Sequence, residues 1–233
     1  LSCKYGHLGI FNFFFREGIC ENRKKYFMYL ASKYGKYEII EFLYDRGVSI
    51  QVRNNYPLLK SVDDDNYDTT KFLIEKGANI NVNYIRNDEN INLLKLATFN
   101  NNLIIVKYLI ENGININYKT LCGYSGFESA CFNDNNLETV KILLNNDINI
   151  NDLYLGFKYA CKHKSINVIK LIISFGIIYN EYDDFIKPYL GIINEYINTK
   201  EYWINRYNFN KSFSDIFSLI VLISDDYLKF RIL

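Results

Sequence analysis

The sequence predicts an all-α fold in which short helical repeats stack side by side as a solenoid, closed by a helical C-terminal cap. An apolar pattern of helical period recurs along the chain, and each copy ends at a glycine or at one aspartate in its place. The copies end 29 to 36 residues apart. Self-similarity at such a period is typical of a solenoid, in which each repeat contacts only its neighbours. The six ends are Gly18, Gly47, Gly77, Gly113, Asp147 and Gly176.

Residues 92–102 illustrate the first half of one copy. Asn92 can cap a helix because its side-chain oxygen accepts a hydrogen bond from a backbone N–H group of the first turn. Leu96 and Ala97 belong to the apolar face of this helix. Three consecutive asparagines, residues 100–102, then end it.

A second amphipathic helix follows in the same copy, since Leu103, Val106 and Leu109 recur at helical spacing. Gly113 ends this helix, as glycine does where a helix terminates in a left-handed residue. Apolar and polar residues alternate over 114–117, which predicts a short extended segment before the next copy. Four copies share a lysine six residues before the end: Lys71, Lys107, Lys141 and Lys170.

This pattern resembles the ankyrin repeat family. The segments that carry the resemblance are ASKYG at 31–35, EIIEFL at 38–43, GANIN at 77–81 and GYS at 123–125. The resemblance covers residues 1–180 and implies about six stacked repeats. The coding style, rich in Asn, Ile, Lys, Phe and Tyr, is similar to that of large DNA viruses or AT-rich protists, so we attribute much of the Asn content to the genome.

The copies also depart from the family pattern. In the family, Gly-x-Thr-Pro-Leu-His opens the first helix, and no copy here keeps the histidine. Ser125 and Glu128 are expected to form a capping box instead. Asp147 replaces a glycine, and aspartate tolerates the left-handed backbone better than most residues. The intervals predict a longer connection, or finger, around 82–91, and shorter fingers that end just before Tyr26, Tyr56 and Leu155.

The sequence predicts a second segment after the repeats, over residues 181–233. Apolar residues between Phe185 and Ile197 form one helical stripe. Another runs from Ile216 to Ile223, after a serine that can cap it. We expect these helices to cover the apolar face of the last repeat, because a solenoid needs such a cap for solubility. A docking segment for another protein is the alternative.

Composition narrows the class of protein. The net charge is only +1, and the sequence shows no cluster of basic residues of the kind that forms the basic face of a nucleic-acid-binding protein. The longest apolar runs are shorter than the roughly 20 residues of a membrane span, so we expect neither nucleic acid nor a membrane as partner. Five cysteines without paired spacing predict an intracellular, cytoplasmic protein with reduced thiols. The chain begins at Leu1 within a copy, and we expect it to be a piece of a longer protein.

Few residue patterns in the sequence suggest catalysis or metal binding. His7 and His163 are the two histidines, and no Cys or carboxylate cluster lies beside either at metal-ligand spacing. The acidic cluster at 63–65 with Asp68 lacks an apolar pocket that would raise a pKa. No nucleotide-binding, metalloprotease or hydrolase motif occurs. We therefore expect a non-enzymatic chain without catalytic residues, cofactor or metal.

The resemblance implies a monomeric scaffold that binds another protein on its concave face. In this family the residue before each first helix and the exposed end of that helix line the face. These positions are Arg53, Asn55, Asp63, Asp64, Asp88, Glu89, Phe99, Asn100, Tyr124, Phe132, Asn133, Tyr154, Lys162 and His163. Two alternatives stay open: an adaptor that brings a captured protein to a ubiquitin ligase, and a degenerate repeat fragment without a selected partner.

Overall fold

Helices joined by short turns make up most of the computed structural model, which describes residues 1–15, 19–86, 89–119, 123–177, 181–199 and 201–202. Of residues 85, 86, 89 and 90 only the backbone is described. The chain divides into two units, residues 1–123 and 124–233. This division lies within the predicted repeat region, and the domain boundary near residue 180 stays a prediction. Gly18, Cys122 and the stripe at 216–223 lie outside the described residues.

Four helical hairpins form the first unit. The first helix of a hairpin packs on the first helix of the next hairpin, as α3 does on α5 and α5 on α7. Second helices pack in the same way, as α6 does on α8. The helices are α1 (Ser2–Tyr5), α2 (Leu8–Phe15), α3 (Glu21–Lys33), α4 (Tyr37–Asp45), α5 (Val52–Asp63), α6 (Tyr67–Glu75), α7 (Leu93–Phe99) and α8 (Leu103–Glu111). α3 begins five residues earlier than the sequence predicts.

Two further hairpins and a C-terminal helix form the described part of the second unit. They comprise α9 (Gly126–Ala130), α10 (Leu137–Leu144), α11 (Ile150–Lys162), α12 (Ile166–Phe175) and α13 (Leu190–Ile197). Short 3-10 helices lie at Asp134–Asn136 and Lys187–Tyr189. α9 packs on α11, and α10 packs on α12. α11 also begins five residues before the predicted position, so its first turns replace part of the expected finger.

The same backbone hydrogen bond closes the turn between the two helices of four repeats. The N–H of Asn102 donates to the Ala97 carbonyl at 2.9 Å, and residues 36, 66 and 165 donate in the same way to residues 31, 61 and 160. The residue before each donor is left-handed: Gly35, Asp65, Asn101 and Lys164. Asp147 is also left-handed, with φ 48°, as the sequence predicts. A left-handed residue and one backbone hydrogen bond therefore give these turns between paired helices the same conformation in each repeat.

The longer finger folds as a β-hairpin. Strands β1 (Tyr84–Arg86) and β2 (Glu89–Ile91) are antiparallel, with Tyr84 opposite Ile91. Among the described residues these are the strands of the structure, and the segment at 114–117, predicted to be extended, contains a turn at residues 116–117 and no strand. The longer finger predicted around 82–91 is thus confirmed and is a hairpin.

A column of apolar side chains forms the core of each unit. The residue four positions before the repeat ends Gly47, Gly77, Gly113, Asp147 and Gly176 is fully buried in each case: Leu43, Leu73, Leu109, Leu143 and Ile172. Small residues lie at the close contact between helices, where Ala31, Ala97 and Ala160 are also fully buried. Burial of this kind is the main favourable contribution to folding.

Predicted helix caps are present. The Asn92 side chain accepts a hydrogen bond from the Lys95 N–H at 2.7 Å. The Glu128 carboxylate accepts from the Ser125 N–H at 2.9 Å, and the Ser125 hydroxyl accepts from the Glu128 N–H at 3.3 Å. This reciprocal pair is the capping box. It begins α9, which has five residues and gains little from its own length.

The first C-terminal stripe packs on the last repeat. Ile193 and Tyr196 of α13 are buried, and α13 contacts α12. The Tyr196 and Ser174 hydroxyls share a hydrogen bond of 2.8 Å. In this part the described residues agree with a helical cap.

A carboxylate links two neighbouring repeats of the second unit. Asp134 accepts hydrogen bonds from the N–H groups of Asn167 and Val168 at 3.0 and 3.1 Å. Both donors belong to the first turn of α12, so Asp134 caps that helix from the preceding repeat.

Asp134→Ala is expected to lower the free energy of unfolding by about 1–2 kcal/mol, because both N–H groups lose their acceptor. Asp134→Asn keeps an acceptor oxygen and should lose less. Urea unfolding followed by circular dichroism measures both variants. An unchanged midpoint for Asp134→Ala would contradict the cap between repeats.

Candidate functional site

Four of the predicted positions and one additional tyrosine meet on the first-helix side of the second unit. Phe132 lies 5.2 Å from the ring of Tyr159 and 4.7 Å from that of His163. The rings of Tyr124 and Tyr159 are also in contact, with their centroids 5.3 Å apart. We call Tyr124, Phe132, Tyr159 and His163 the aromatic cluster. Lys162 lies beside it, with Nζ 5.9 Å from the Tyr159 ring centre.

Two helices position the aromatic cluster. Tyr124 precedes α9 and Phe132 follows it, whereas Tyr159 lies on α11 and His163 at its C-terminus. Tyr124, Phe132 and Tyr159 are half-buried, and His163 is exposed. Burial and a hydrogen bond with Tyr124 raise the pKa of Tyr159, so its hydroxyl stays protonated at neutral pH. The cluster therefore offers ordered rings with polar edges and one adjacent cation.

The sequence missed Tyr159 as a site residue and assigned Tyr154 in its place. Tyr154 lies away from the cluster and donates a hydrogen bond to Asp183 at 3.1 Å. Lys158 forms an ion pair with the same carboxylate at 2.9 Å. Tyr154 thus joins α11 to the segment that precedes α13, and we leave it out of the candidate surface.

These contacts lower the pKa of Asp183, chiefly through the Lys158 hydrogen bond and also through the Phe185 N–H and the Tyr154 hydroxyl. A carboxyl with a lowered folded-state pKa contributes stability above its unfolded pKa of about 4. That contribution is lost as the pH falls through the lowered value. We expect the thermal midpoint to fall in this acidic range less steeply for Asp183→Asn than for the parent.

Thermal unfolding between about pH 5 and pH 2 tests this expectation. Glu195→Gln, which removes an exposed carboxylate of α13, is the matched control and should keep the parent's pH dependence. Identical curves for Asp183→Asn and the parent would contradict the role of Asp183.

Asn133 has a local structural role. Its side chain accepts a hydrogen bond from the Asn135 N–H at 2.9 Å and caps the short 3-10 helix. The residue is exposed, so the rest of its side chain stays accessible while Oδ1 caps the helix.

In the first unit, the predicted positions at 63, 64, 99 and 100 lie at the C-terminal ends of α5 and α7. Asp63 and Asp64 both form ion pairs with Lys60. Asn100 donates a hydrogen bond to the Asp63 carbonyl at 3.2 Å. Phe99 is 71% exposed. The acidic residues therefore form local ion pairs, and Phe99 is the apolar group accessible there.

Arg53 and Asn55 belong to a left-handed segment. Arg53, Asn54 and Asn55 have φ values of 48°, 58° and 58°, so regular α5 helix begins after them. Non-glycine residues in this region cost about 1–2 kcal/mol each. The strain is retained here by the contacts of all three side chains.

The two predicted residues of this segment have opposite environments. Asn55 is 5% exposed, and its side chain and carbonyl accept hydrogen bonds from the Asn79 N–H and the Tyr84 hydroxyl. Asn55 is therefore a buried structural residue, and its prediction as a partner contact is wrong. Arg53 is exposed, and its guanidinium lies 3.9 Å above the Tyr29 ring.

Two acidic positions predicted in the longer finger remain without side-chain detail. Asp88 lies outside the described residues, and Glu89 belongs to β2 with only its backbone described.

Burial suppresses the reactivity of three cysteines, whereas Cys20 is exposed. Burial raises the pKa of the Cys3 thiol to about 11 and that of Cys161 to about 12. The Cys131 pKa is also raised well above its usual value. These side chains are thiols rather than nucleophilic thiolates at neutral pH.

The described residues contain neither a metal-binding cluster nor a membrane-spanning helix. No group of three or more His, Cys, Asp or Glu side chains there could hold a metal ion. Across the same ranges, none of the helices is long and apolar enough to cross a bilayer.

Comparison with known proteins agrees with the repeat architecture. A family model described as "Ankyrin repeats (3 copies)" matches residues 1–84, 27–120 and 65–154. An ankyrin repeat protein of Acanthamoeba polyphaga mimivirus is 30% identical, over 82% of this chain and 26% of the viral protein. Alpha-latrocrustotoxin-Lt1a of Latrodectus tredecimguttatus is 31% identical, over 41% of this chain and 7% of the toxin. The chain thus spans a minor part of either relative. The family model matches well over half of the chain in overlapping copies, and the chain belongs to the ankyrin repeat family.

Proposed function

We propose that this chain binds another protein through the surface that the first helices of its second unit, α9 and α11, form, with the aromatic cluster as the main contact. Ankyrin repeats are in general protein-interaction modules, and neither relative identifies a partner for this chain. The observation that carries the proposal is the contact of three half-buried rings with an exposed histidine outside the core. The predicted concave face would include this surface.

The chemistry of the cluster suits a binding contact. Tyr side chains are enriched among residues that dominate interface energies. Neighbouring rings already restrict the rotamers of Phe132 and Tyr159, so binding would cost less side-chain entropy than for isolated exposed residues. Lys162 adds a charged group at the edge of the surface, where charges affect specificity more than affinity.

Affinity capture tests the proposal. The full chain and a Phe132→Ala/His163→Ala variant are used to capture proteins from cell lysates, and the bound proteins are identified by mass spectrometry. Phe13→Ala, which removes an exposed ring from α2 of the first unit, is the matched control. We expect the double variant to weaken binding of the specific partner by at least about tenfold, equivalent to about 1.4 kcal/mol. Equal capture by parent and double variant, with unchanged thermal midpoints, would refute the proposal.

Other features of the function remain predictions. The ubiquitin-ligase adaptor, the degenerate fragment, the monomeric state and the cytoplasmic location gain no specific support from the described residues. A cooperative unfolding transition of the isolated chain would argue against a degenerate fragment.

A further inference from the structure

An open groove lies on the first unit. Lys25 and Tyr26 line it from α3, and Ser49, Gln51 and Arg53 line it from the turn before α5 and the left-handed segment at its start. Tyr26 is 49% exposed, and both cations are exposed. The groove thus combines two positive charges, an aromatic ring and neutral polar groups.

The charges that line the groove have one sign. Lys25 and Arg53 are its charged lining residues, and no carboxylate lines it. Neither cation forms an ion pair with another residue in the described ranges of the chain. The nearest acidic residue along α3, Glu21, contacts Lys24 instead at 2.5 Å. The groove is therefore lined by two cations that form no ion pair in the described residues, which favours an acidic ligand.

Arg53 is held in place by the turn that carries it. Asn54 donates a hydrogen bond to the Asn83 carbonyl at 3.0 Å, and Gln51 donates to the Gly77 carbonyl at 3.2 Å. These contacts fix the left-handed segment against the following finger. The Arg53 guanidinium lies above the Tyr29 ring, and stacking of its flat face leaves the N–H groups at its edge accessible. A planar guanidinium in this arrangement can bind a carboxylate through two parallel hydrogen bonds.

We propose that this groove binds an acidic segment of a protein partner, with Arg53 and Lys25 each contacting a carboxylate and Tyr26 contacting an adjacent apolar side chain. The proposal rests on the protein-binding function proposed above but uses residues of the first unit rather than those of the aromatic cluster. An acidic protein segment is favoured over nucleic acid because two cations neutralise few phosphates, and nucleic-acid affinity grows with the number neutralised. The net charge of +1 provides no wider basic face.

Peptide selection tests the proposal without knowledge of the natural partner. A displayed random-peptide library is selected on the purified full chain, and the affinity of the most enriched peptide is measured by fluorescence titration. We expect the enriched peptides to carry two or more Asp or Glu residues. Affinity should fall by at least about tenfold in Lys25→Gln/Arg53→Gln and should weaken as NaCl rises from about 0.05 to about 0.5 M.

Matched variants separate the groove from general charge and folding effects. Lys33→Gln/Arg46→Gln removes the same charge from the first unit, including an arginine that stacks 3.4 Å above Phe42, and should bind the peptide as the parent does. Arg53→Lys keeps the charge but loses the planar fork, so its affinity should be intermediate. This single variant also provides a test if the double variant does not fold.

Three results would overturn the proposal. Enriched peptides could lack acidic residues, or they could bind the parent and the double variant equally. A labelled single-stranded DNA oligonucleotide could bind the parent and not the double variant, while no acidic peptide binds. Because the capture experiment uses variants of the aromatic cluster and this one uses variants of the groove, failure of either proposal is distinguishable from failure of the other.

Discussion

Gly156→Val is expected to lower the free energy of unfolding of the second unit by at least about 3 kcal/mol. A Cβ atom at Gly156 would lie 2.4 Å from Cε1 of Phe127 and 3.0 Å from Sγ of Cys131. Phe127 and Cys131 are fully buried, so neither can move aside without displacing other core atoms. Helix propensity favours valine over glycine by only a few tenths of a kcal/mol, far too little to offset the clash.

Chemical unfolding followed by circular dichroism measures this effect. Gly191→Ala in α13 is the matched control, because a Cβ there meets no atom within 4 Å. It should raise stability by about 0.5–1 kcal/mol through helix propensity. A valine at 156 that leaves the midpoint unchanged would mean that α9 and α11 are farther apart than the structure has them.

The repeat could be predicted because its signals are local. Gly47, Gly77 and Gly113 end helices with positive φ values, and the apolar residues before them follow the helical period. The Ser125 and Glu128 pair is also local, since three residues separate its members. The starts of α3 and α11 were each predicted five residues too late. Residues 21–25 are mostly exposed and extend α3 through helix propensity and the Glu21–Lys24 ion pair, whereas Asp152 and Leu153 in the extension of α11 are buried.

Genome composition does not account for the positions of the asparagines. A biased genome explains why asparagine is frequent, but not where each residue lies. Asn66 and Asn102 cap second helices through hydrogen bonds to N–H groups three residues on. Asn81 accepts a hydrogen bond from Asn115 of the next finger. Such contacts between repeats depend on spatial neighbours about 34 residues apart, as ankyrin stacking requires, and no pattern within one copy indicates them.

The candidate site was predicted in part. Tyr124 and Phe132 flank a first helix that the sequence located well, and both belong to the aromatic cluster. Tyr154 was assigned as the residue before a first helix, but it lies within α11. Tyr159 is five residues farther along, about 140° around the helix at 100° per residue. The error in the helix start therefore explains why the sequence pointed to Tyr154 rather than to Tyr159, the tyrosine of the aromatic cluster.

Ala97→Leu is expected to lower the free energy of unfolding of the first unit by an amount on the order of 1–3 kcal/mol. Ala97 is fully buried on α7, which packs against both α5 and α8. Its carbonyl accepts the Asn102 hydrogen bond that closes the helix turn. Three additional carbon atoms at this position must separate the helices or force neighbouring side chains from their rotamers, and a close-packed interior resists both.

Lys107→Leu supplies the comparison for Ala97→Leu, because it places the same side chain on an exposed position of α8. Surface substitutions of this kind change stability by about 0.5 kcal/mol or less. Thermal and urea unfolding of both variants should therefore differ clearly, with the loss confined to position 97. Equal midpoints for Ala97→Leu and the parent would show that this face of α7 is not at the helix contact. The register of the repeat, which depends on a small residue there, would then be wrong.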